Sequence, residues 1–339
     1  MIPMPKKPFI RRLQPDRSQT LRRIVQLIFV ALNVWIGVEF FLFVRQFERG
    51  LNAGYSRPPG VEGWLPIAGL LNLKYFLVTG TIPAIHPAAM VLLATFLVIS
   101  FLLRRSFCSW ICPVGSLSEW LWKLGRSTFK KNWALPRWLD LTLRPLKYLL
   151  LGFFVFLGAG MTAEGIDAFM HTPYGVLADV KMLGFFRDLS ITSAVVLAVL
   201  VLASVFVQNF WCRYLCPYGA LTGLAALLSP LRIRRNAVSC IDCGKCTRAC
   251  PSLLPVDRLI QIRSAECTGC MECVASCPVE AALTLQVPKR TVKAEWLAAA
   301  ICVIFVAAVA MARLSGHWYG EIPLRVYEHW VPLAREFSH

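Results

Sequence analysis

The stretch that decides this chain runs from 240 to 278. It reads Cys240-x-x-Cys243-x-x-Cys246-x-x-x-Cys250-Pro251, and then Cys267-x-x-Cys270-x-x-Cys273-x-x-x-Cys277-Pro278. A cubane iron–sulfur cluster needs four thiolates at the corners of a tetrahedron. The two-residue gaps wrap the backbone round one cluster, and the fourth cysteine of each run, at the turn closed by proline, reaches the other cluster. The spacing therefore assigns Cys240, Cys243, Cys246 and Cys277 to one [4Fe–4S] cluster, and Cys267, Cys270, Cys273 and Cys250 to a second. The alternatives are zinc sites or a disulfide framework. Zinc sites seldom use eight cysteines in a doubled run without histidine, and none lies between Cys240 and Cys277.

Outward from these runs, the composition is not that of a soluble domain. Hydrophobic residues make up 57% of the chain and its mean hydropathy is +0.57. Five apolar stretches, 24–44, 83–103, 145–163, 191–209 and 294–312, each come near the ~20 residues a helix needs to cross a bilayer. The first follows a basic start at Arg22 and Arg23. Its apolar run is too long for a signal peptide and no small-x-small cleavage site follows, so it is expected to stay as an anchor. Two further apolar stretches, 64–80 and 174–186, read as interfacial or re-entrant helices on the outer face.

Charge gives the orientation. The net charge is +17, but 27 of the 36 Lys and Arg residues lie in 1–23, 104–147 and 210–293. Alternate loops are basic, which is the positive-inside pattern. It predicts five spans with the N-terminus and clusters in the cytoplasm, the C-terminus outside, and basic loops against anionic lipid headgroups. It argues against a nucleic-acid partner. Cysteines kept reduced in the cytosol are available for clusters rather than disulfides. Cys302, inside the last stretch, reads as a small buried apolar side chain.

A repeat precedes the clusters. Phe107-Cys108-Ser-Trp-Ile-Cys112-Pro113-Val-Gly115 recurs as Trp211-Cys212-Arg-Tyr-Leu-Cys216-Pro217-Tyr-Gly219. Each copy ends a pair of apolar stretches, which gives two parallel repeats expected to be related by an axis along the membrane normal. Cysteines four apart share one helix face, and the proline disfavours helix at the second cysteine. Each pair is thus placed at the last turn of a span, before an amphipathic helix such as 116–122. Cys108, Cys112, Cys212 and Cys216 are predicted to converge near the cytoplasmic edge. They read as a third metal centre or a redox-active dithiol site whose thiol pKa values are lowered by Arg104, Arg105 or Arg213, or as packing.

Together the doubled C-x-x-x-C-P and the two C-x-x-C-x-x-C-x-x-x-C-P runs resemble the NapH/NosR/YccM polyferredoxin family, which is related to CcoG/RdxA and MauN. The resemblance covers about residues 24–290, and all twelve motif cysteines match. It implies an electron carrier of the bacterial inner membrane that passes electrons between quinol, or a cytoplasmic donor, and a redox partner such as a periplasmic cytochrome or reductase. The CcoG-like branch implies the alternative of a copper-reducing or assembly protein. A scaffold stabilised by its clusters is a third reading. Quinol oxidation needs a proton acceptor. Glu39, His86 and His171, all on the outer side of the predicted topology, are the candidates; helix capping or snorkelling is the competing role for each. No C-x-x-C-H, G-x-G-x-x-G or P-loop occurs, so haem c, nicotinamide, flavin and ATP are not supported.

The expected architecture is an all-α integral membrane protein of five transmembrane helices in two parallel repeats, with a small α+β bacterial-type 2[4Fe–4S] ferredoxin-like insert on the cytoplasmic side. The segments are a basic N-terminus (1–23), repeat one (24–122), a linker (123–145), repeat two (146–230), the insert (231–290), the fifth span (291–313) and an outer tail (314–339). Within the insert, 281–287 alternates as a short strand.

Overall fold

The computed structural model describes residues 12, 16–50, 54–133, 135–288 and 290–334. The basic residues expected within 1–11 and the last five residues of the tail lie outside this set. The chain divides into two compact units. One comprises 1–30, 97–148 and 201–303, and the other 31–96, 149–200 and 304–339.

The described residues are mostly helical. Three helices, Ser18–Glu48, Arg137–Gly160 and Ala294–Leu314, are long and apolar enough to cross a membrane. A fourth span arises if Ala178–Arg187 and Ile191–Phe206 count as one, although they meet at an 82° bend. In the stretches expected as spans at 83–103 and 191–209 the helices are Pro87–Leu103, 17 residues long, and Ile191–Phe206, 16 residues long, each short of the ~20 residues that cross a bilayer. Both are shortened at their ends: Leu103 is followed by Arg104 at φ 62°, and Phe206 is soon followed by Asn209 at φ 52°. Left-handed backbone cannot continue a right-handed helix.

The long helices turn apolar side chains outward. Ile28, Trp35, Phe156, Ile191, Trp296 and Met311 are all exposed. Only 22% of the most apolar window of Ser18–Glu48 is buried. Such surface in water would be a liability, and it is what a bilayer covers. Cys302, expected to be buried, is half-buried on Ala294–Leu314, whose windows face outward to the same degree.

In the first unit, strands β1 (Arg232–Arg235), β2 (Leu283–Val287) and β3 (Arg290–Thr291) form an antiparallel sheet in the order β1-β2-β3. Ile233 pairs with Leu285 and Arg235 with Leu283. Ile233, Leu283 and Leu285 are buried, so the two-residue period sends one face inward. The expected strand at 281–287 is β2. The amphipathic helix expected at 116–122 extends over Pro113–Phe129, with Pro113 at its first position. Its buried face carries Ser116, Ser118, Glu119, Trp122 and Gly125, while Leu117 and Leu124 are exposed. Gly125 permits this packing, since a Cβ there would lie 2.0 Å from the Val205 carbonyl oxygen.

In the second unit, the stretch 64–80 forms the helix Pro66–Thr79, closed by Gly80 at φ 72°. Lys74 and Asn72 in this helix have structural tasks. Lys74 Nζ donates to the carbonyls of Gly158, Ala159 and Met161 at the end of Leu146–Gly160, where the helix dipole favours a cation. Asn72 Nδ2 donates to the carbonyls of Ile85 and His86, at 2.9 Å each. The other stretch, 174–186, folds as Pro173–Val176 and Ala178–Arg187. Phe40, Phe43, Val61, Leu177 and Tyr327 form one apolar cluster, in which Phe43 and Tyr327 meet edge to face at 5.1 Å.

Candidate functional site

The eight cysteines of the doubled run surround two separate cavities in the first unit. Cys240, Cys243, Cys246 and Cys277 line one, together with Ile241, Val279 and Leu283. Cys250, Cys267, Cys270 and Cys273 line the other, with Ile233, Val256 and Ile262. The grouping is the one the spacing predicts, including the exchange of Cys250 and Cys277. Local backbone makes it possible. Gly244 and Gly269 adopt φ 66° and 63°, and Asp242 and Met271 adopt φ 54° and 60°, which turns the chain tightly between thiols. Cys250 enters Pro251 in extended conformation, as a residue before proline should. Both linings are sulfur and apolar side chain, the donor set that suits an iron–sulfur cluster.

The cysteines of the second cavity are the more buried. Burial pushes Cys250 up to about 11 and Cys270 up to about 12 as free thiols. Cluster ligation requires thiolates, so iron binding must outweigh this proton affinity.

The two C-x-x-x-C-P segments also come together in the first unit. Cys108 lies on the short helix Ser106–Trp110, and Cys112 is the residue preceding the helix Pro113–Phe129. Cys212 lies in the π-turn Trp211–Leu215, and Cys216 precedes Pro217–Leu227. The pairs were expected at the last turn of a span. Instead, each first cysteine stands on a separate turn beyond a backbone break, and each second cysteine heads the following helix. Cys216 Sγ accepts from the Gly219 amide at 3.2 Å, a favourable site for a thiolate. Gly115 allows the tight return of the first copy, since a Cβ there would lie 2.0 Å from the Cys108 carbonyl oxygen.

The four sulfurs feel one another electrostatically. Burial pushes Cys112 up to about 12, with the charge of Cys108 adding to it. Cys212 is raised by burial first and then by Cys216, Cys112 and Cys108. Cys216 is raised by burial and Cys108. The expected lowering by arginine therefore fails for these three, because burial outweighs it. The arginines also divide their work. Arg213 makes two bonds to Asp140, and Arg104 donates to the Ser264 carbonyl at 2.8 Å. Arg105 serves the sulfurs: its Nε donates to Cys108 Sγ at 3.4 Å and its Nη2 to the Cys212 carbonyl at 3.3 Å. One buried guanidinium thus joins both copies. A Cβ on Gly219 would lie 2.3 Å from that Nη2, so the glycine leaves room for it.

Contacts sequence reasoning did not reach link this site to the second cavity. Ser109 Oγ donates to the Thr268 carbonyl at 2.7 Å, and Trp110 Nε1 to the Gly269 carbonyl at 3.2 Å. Thr268 and Gly269 stand between Cys267 and Cys270. Glu266, beside Cys267, accepts from Lys147 at 2.6 and 2.7 Å and lies 3.7 Å from Arg105. On the other flank, Arg22 bridges Glu119 and Glu272. The signal available beforehand was charge placement alone: a lysine, Lys147, at the entry of an apolar helix has to find a counter-ion.

The outer candidates separate. His86 is fully buried in the second unit, and its polar partners are Arg57, Glu62 and the Gly175 carbonyl. His171 is half exposed and bonds to Asp167 on its own helix. Glu39 is half-buried on Ser18–Glu48. Among the described residues, no three His, Cys, Asp or Glu side chains are placed to hold a single metal ion.

Comparison with known proteins agrees with this picture. A family model described as a 4Fe-4S binding domain matches twice, at residues 85–132 and 189–236. One described as a 4Fe-4S dicluster domain matches 232–288. The chain is 50% identical over 330 residues to YccM of Escherichia coli (strain K12), which is assigned by its name to electron transport, covering 95% of this chain and 92% of that protein. It is 28% identical to the methylamine utilization ferredoxin-type protein MauN of Paracoccus denitrificans (strain Pd 1222), over 60% of this chain and 70% of MauN. It is 23% identical to the ferredoxin-type protein NapH of E. coli, over 48% of this chain and 56% of NapH. No solved structure matches. Fold and motifs define an iron–sulfur protein with apolar, membrane-type helices. The chain belongs to the polyferredoxin-type family that includes YccM, MauN and NapH.

Proposed function

We propose that the protein is an inner-membrane electron carrier with three iron–sulfur centres. Cys240, Cys243, Cys246 and Cys277 hold the first. Cys267, Cys270, Cys273 and Cys250 hold the second, and Cys108, Cys112, Cys212 and Cys216 the third. The clusters carry the electrons; the protein sets their spacing and surroundings. The observation that carries this reading is the seating of the Cys267–Cys270 turn on the Cys108 turn through Ser109 and Trp110. It gives a continuous protein path between a soluble-type cluster and the thiols of the repeat.

The reading of the third centre as a cluster rests on the same chemistry. A zinc site brings its ligands to about 2.3 Å from one ion. The four sulfurs are near enough to raise one another's proton affinity, yet no three ligands among the described residues converge on one ion. The two cysteine-lined cavities share that property, which suits clusters. The match of residues 85–132 and 189–236 to a 4Fe-4S binding domain supports the same reading.

In this proposal five helices cross the membrane, Pro87–Leu103 and Ile191–Phe206 being short spans, with the N-terminus and clusters in the cytoplasm. Exposed Leu117 and Leu124 on Pro113–Phe129 dip into the lipid interface. Electrons pass between the quinone pool, or a cytoplasmic donor, and a redox partner in a reductase pathway. The names of YccM, MauN and NapH support the electron-carrier role. His86 is the outer-side residue best placed for proton chemistry.

Reoxidation separates this from copper reduction. Protein reduced under anaerobic conditions is mixed with quinone or with Cu(II), and cluster absorbance is followed. Reoxidation by quinone, lost in Cys108→Ser, is expected. Reoxidation by Cu(II) alone would transfer the protein to the metal-handling class.

A further inference from the structure

The second unit contains a buried ionic cluster built around His86. Arg57 Nε bonds Asp179 Oδ2 at 2.7 Å, and Arg57 Nη1 bonds Glu62 Oε1 at 2.7 Å. Arg57 Nη2 lies 3.1 Å from His86 Nδ1, and Glu62 Oε1 lies 3.2 Å from the same nitrogen. The side chains of Glu62, His86 and Asp179 have no solvent exposure. The remaining oxygens are satisfied by backbone, Glu62 Oε2 from Ala89 and Asp179 Oδ1 from Val180.

Two features of the imidazole stand out. His86 Nε2 faces the Gly175 carbonyl at 2.9 Å. A carbonyl only accepts, so Nε2 carries hydrogen in every state. Nδ1 stands between a donor and an acceptor. Without a proton it accepts from Arg57; with one it donates to Glu62. Either state finds its partner without rearrangement. The backbone is also strained: His86 has φ 54° and precedes Pro87, a position that disfavours such conformations. Asn72 holds it there through the carbonyls of Ile85 and His86.

The charge count decides which state the site needs. One guanidinium and two carboxylates leave a net charge of −1 out of water. An imidazolium makes the cluster neutral, and a buried uncompensated charge is strongly disfavoured. Burial pushes Glu62 up, but Arg57 and the hydrogen bond from His86 outweigh it and hold the carboxyl below its ordinary range. Glu62 thus stays the anion that the imidazolium requires. Tyr327 supplies the last observation. It is 2% exposed, it feels the charges of Asp179, Arg57 and Glu62, and its hydroxyl has no hydrogen-bond partner. A buried hydroxyl of this kind calls for water.

We propose that this cluster is a proton-binding site, in which His86 Nδ1 takes one proton from a hydronium ion and returns it to water. The O–H bond of hydronium breaks, the N–H bond forms, and water is left. Arg57, Glu62 and Asp179 stay charged throughout. The site stands independently of the third centre, so the failure of either leaves the other intact.

The test is ¹⁵N-histidine NMR of the full-length, cluster-loaded protein in lipid nanodiscs. The chain has five histidines, so His86 is assigned by its loss in His86→Gln. In the wild type both ring nitrogens should carry hydrogen at pH 7, and only Nδ1 should lose it as pH rises. Glu62→Gln should weaken proton binding at His86 by about tenfold or more. A wild-type His86 that is neutral at pH 7, or an imidazolium that never releases its proton before unfolding, overturns the proposal.

Discussion

Trp110, fully buried, donates its indole N–H to the carbonyl of Gly269, and so fixes the turn between Cys267 and Cys270 against the turn that carries Cys108. Gly269 sits at φ 63°, with Arg104 and Ser106 side-chain carbons 3.7 Å from where a Cβ would be. The bond holds two cysteine-bearing turns in register. Trp110→Phe should leave the carbonyl unpaired at a cost of about 1–3 kcal/mol. Stopped-flow oxidation should show slower transfer between centres with the iron content unchanged. Wild-type kinetics would remove Trp110 from the path.

Arg105 is the positive charge closest to the repeat cysteines. Adding an electron to a centre is easier beside a cation. Potentiometric titration should therefore find the reduction potential of the third centre lowered in Arg105→Gln and little changed in Arg105→Lys. Gly219→Ala should act like Arg105→Gln, because the new methyl would occupy the place of the guanidinium nitrogen. A potential that ignores all three changes would show that Arg105 is structural only.

Gly115 tests the geometry of the first pair. A Cβ there meets backbone, the Cys108 carbonyl, whereas Gly37 has nothing within 4 Å. Gly115→Ala should lose the third centre and keep the other two, while Gly37→Ala should keep all three. Iron analysis of the two variants decides.

Acid stability follows from Glu119 and Glu62. Burial raises both carboxyls, but Arg22 and Lys123 beside Glu119, and Arg57 beside Glu62, hold them below the ordinary value of 4.5. The unfolded chain binds protons first, so the stabilisation is complete above that value and is lost as pH falls through the lower folded-state pKa values. Thermal unfolding should weaken below about pH 4.5. Glu119→Gln removes one of the two carboxylates that Arg22 bridges, and should cost about 1–3 kcal/mol at neutral pH and flatten the acid dependence. A Glu119→Gln protein as stable as the wild type would contradict this.

The legible parts of the chain were those fixed by short-range spacing. The doubled run divides its cysteines between two cavities as the two-residue gaps require, and the alternation at 281–287 became β2. Helix ends were less legible. Arg104 and Asn209 adopt positive φ although neither is glycine, and tertiary contacts, such as the Ser229 hydroxyl on the Arg104 amide, select that conformation. Ion pairs were not legible. Arg57 and Asp179 are 122 residues apart, and Glu62 in Val-Glu-Gly-Trp reads as a loop residue until folding buries it beside His86. Of the three outer candidates, only burial could choose among Glu39, His86 and His171.

The central claim is that the four repeat cysteines hold a cluster, and iron counting tests it most directly. Anaerobically prepared full-length protein should contain about twelve irons, and Cys108→Ser or Cys212→Ser about eight, with the electron paramagnetic resonance signals of the two remaining clusters retained. About eight irons in the wild type, unchanged by either substitution, would contradict the account and leave Cys108, Cys112, Cys212 and Cys216 as packing or as a dithiol site.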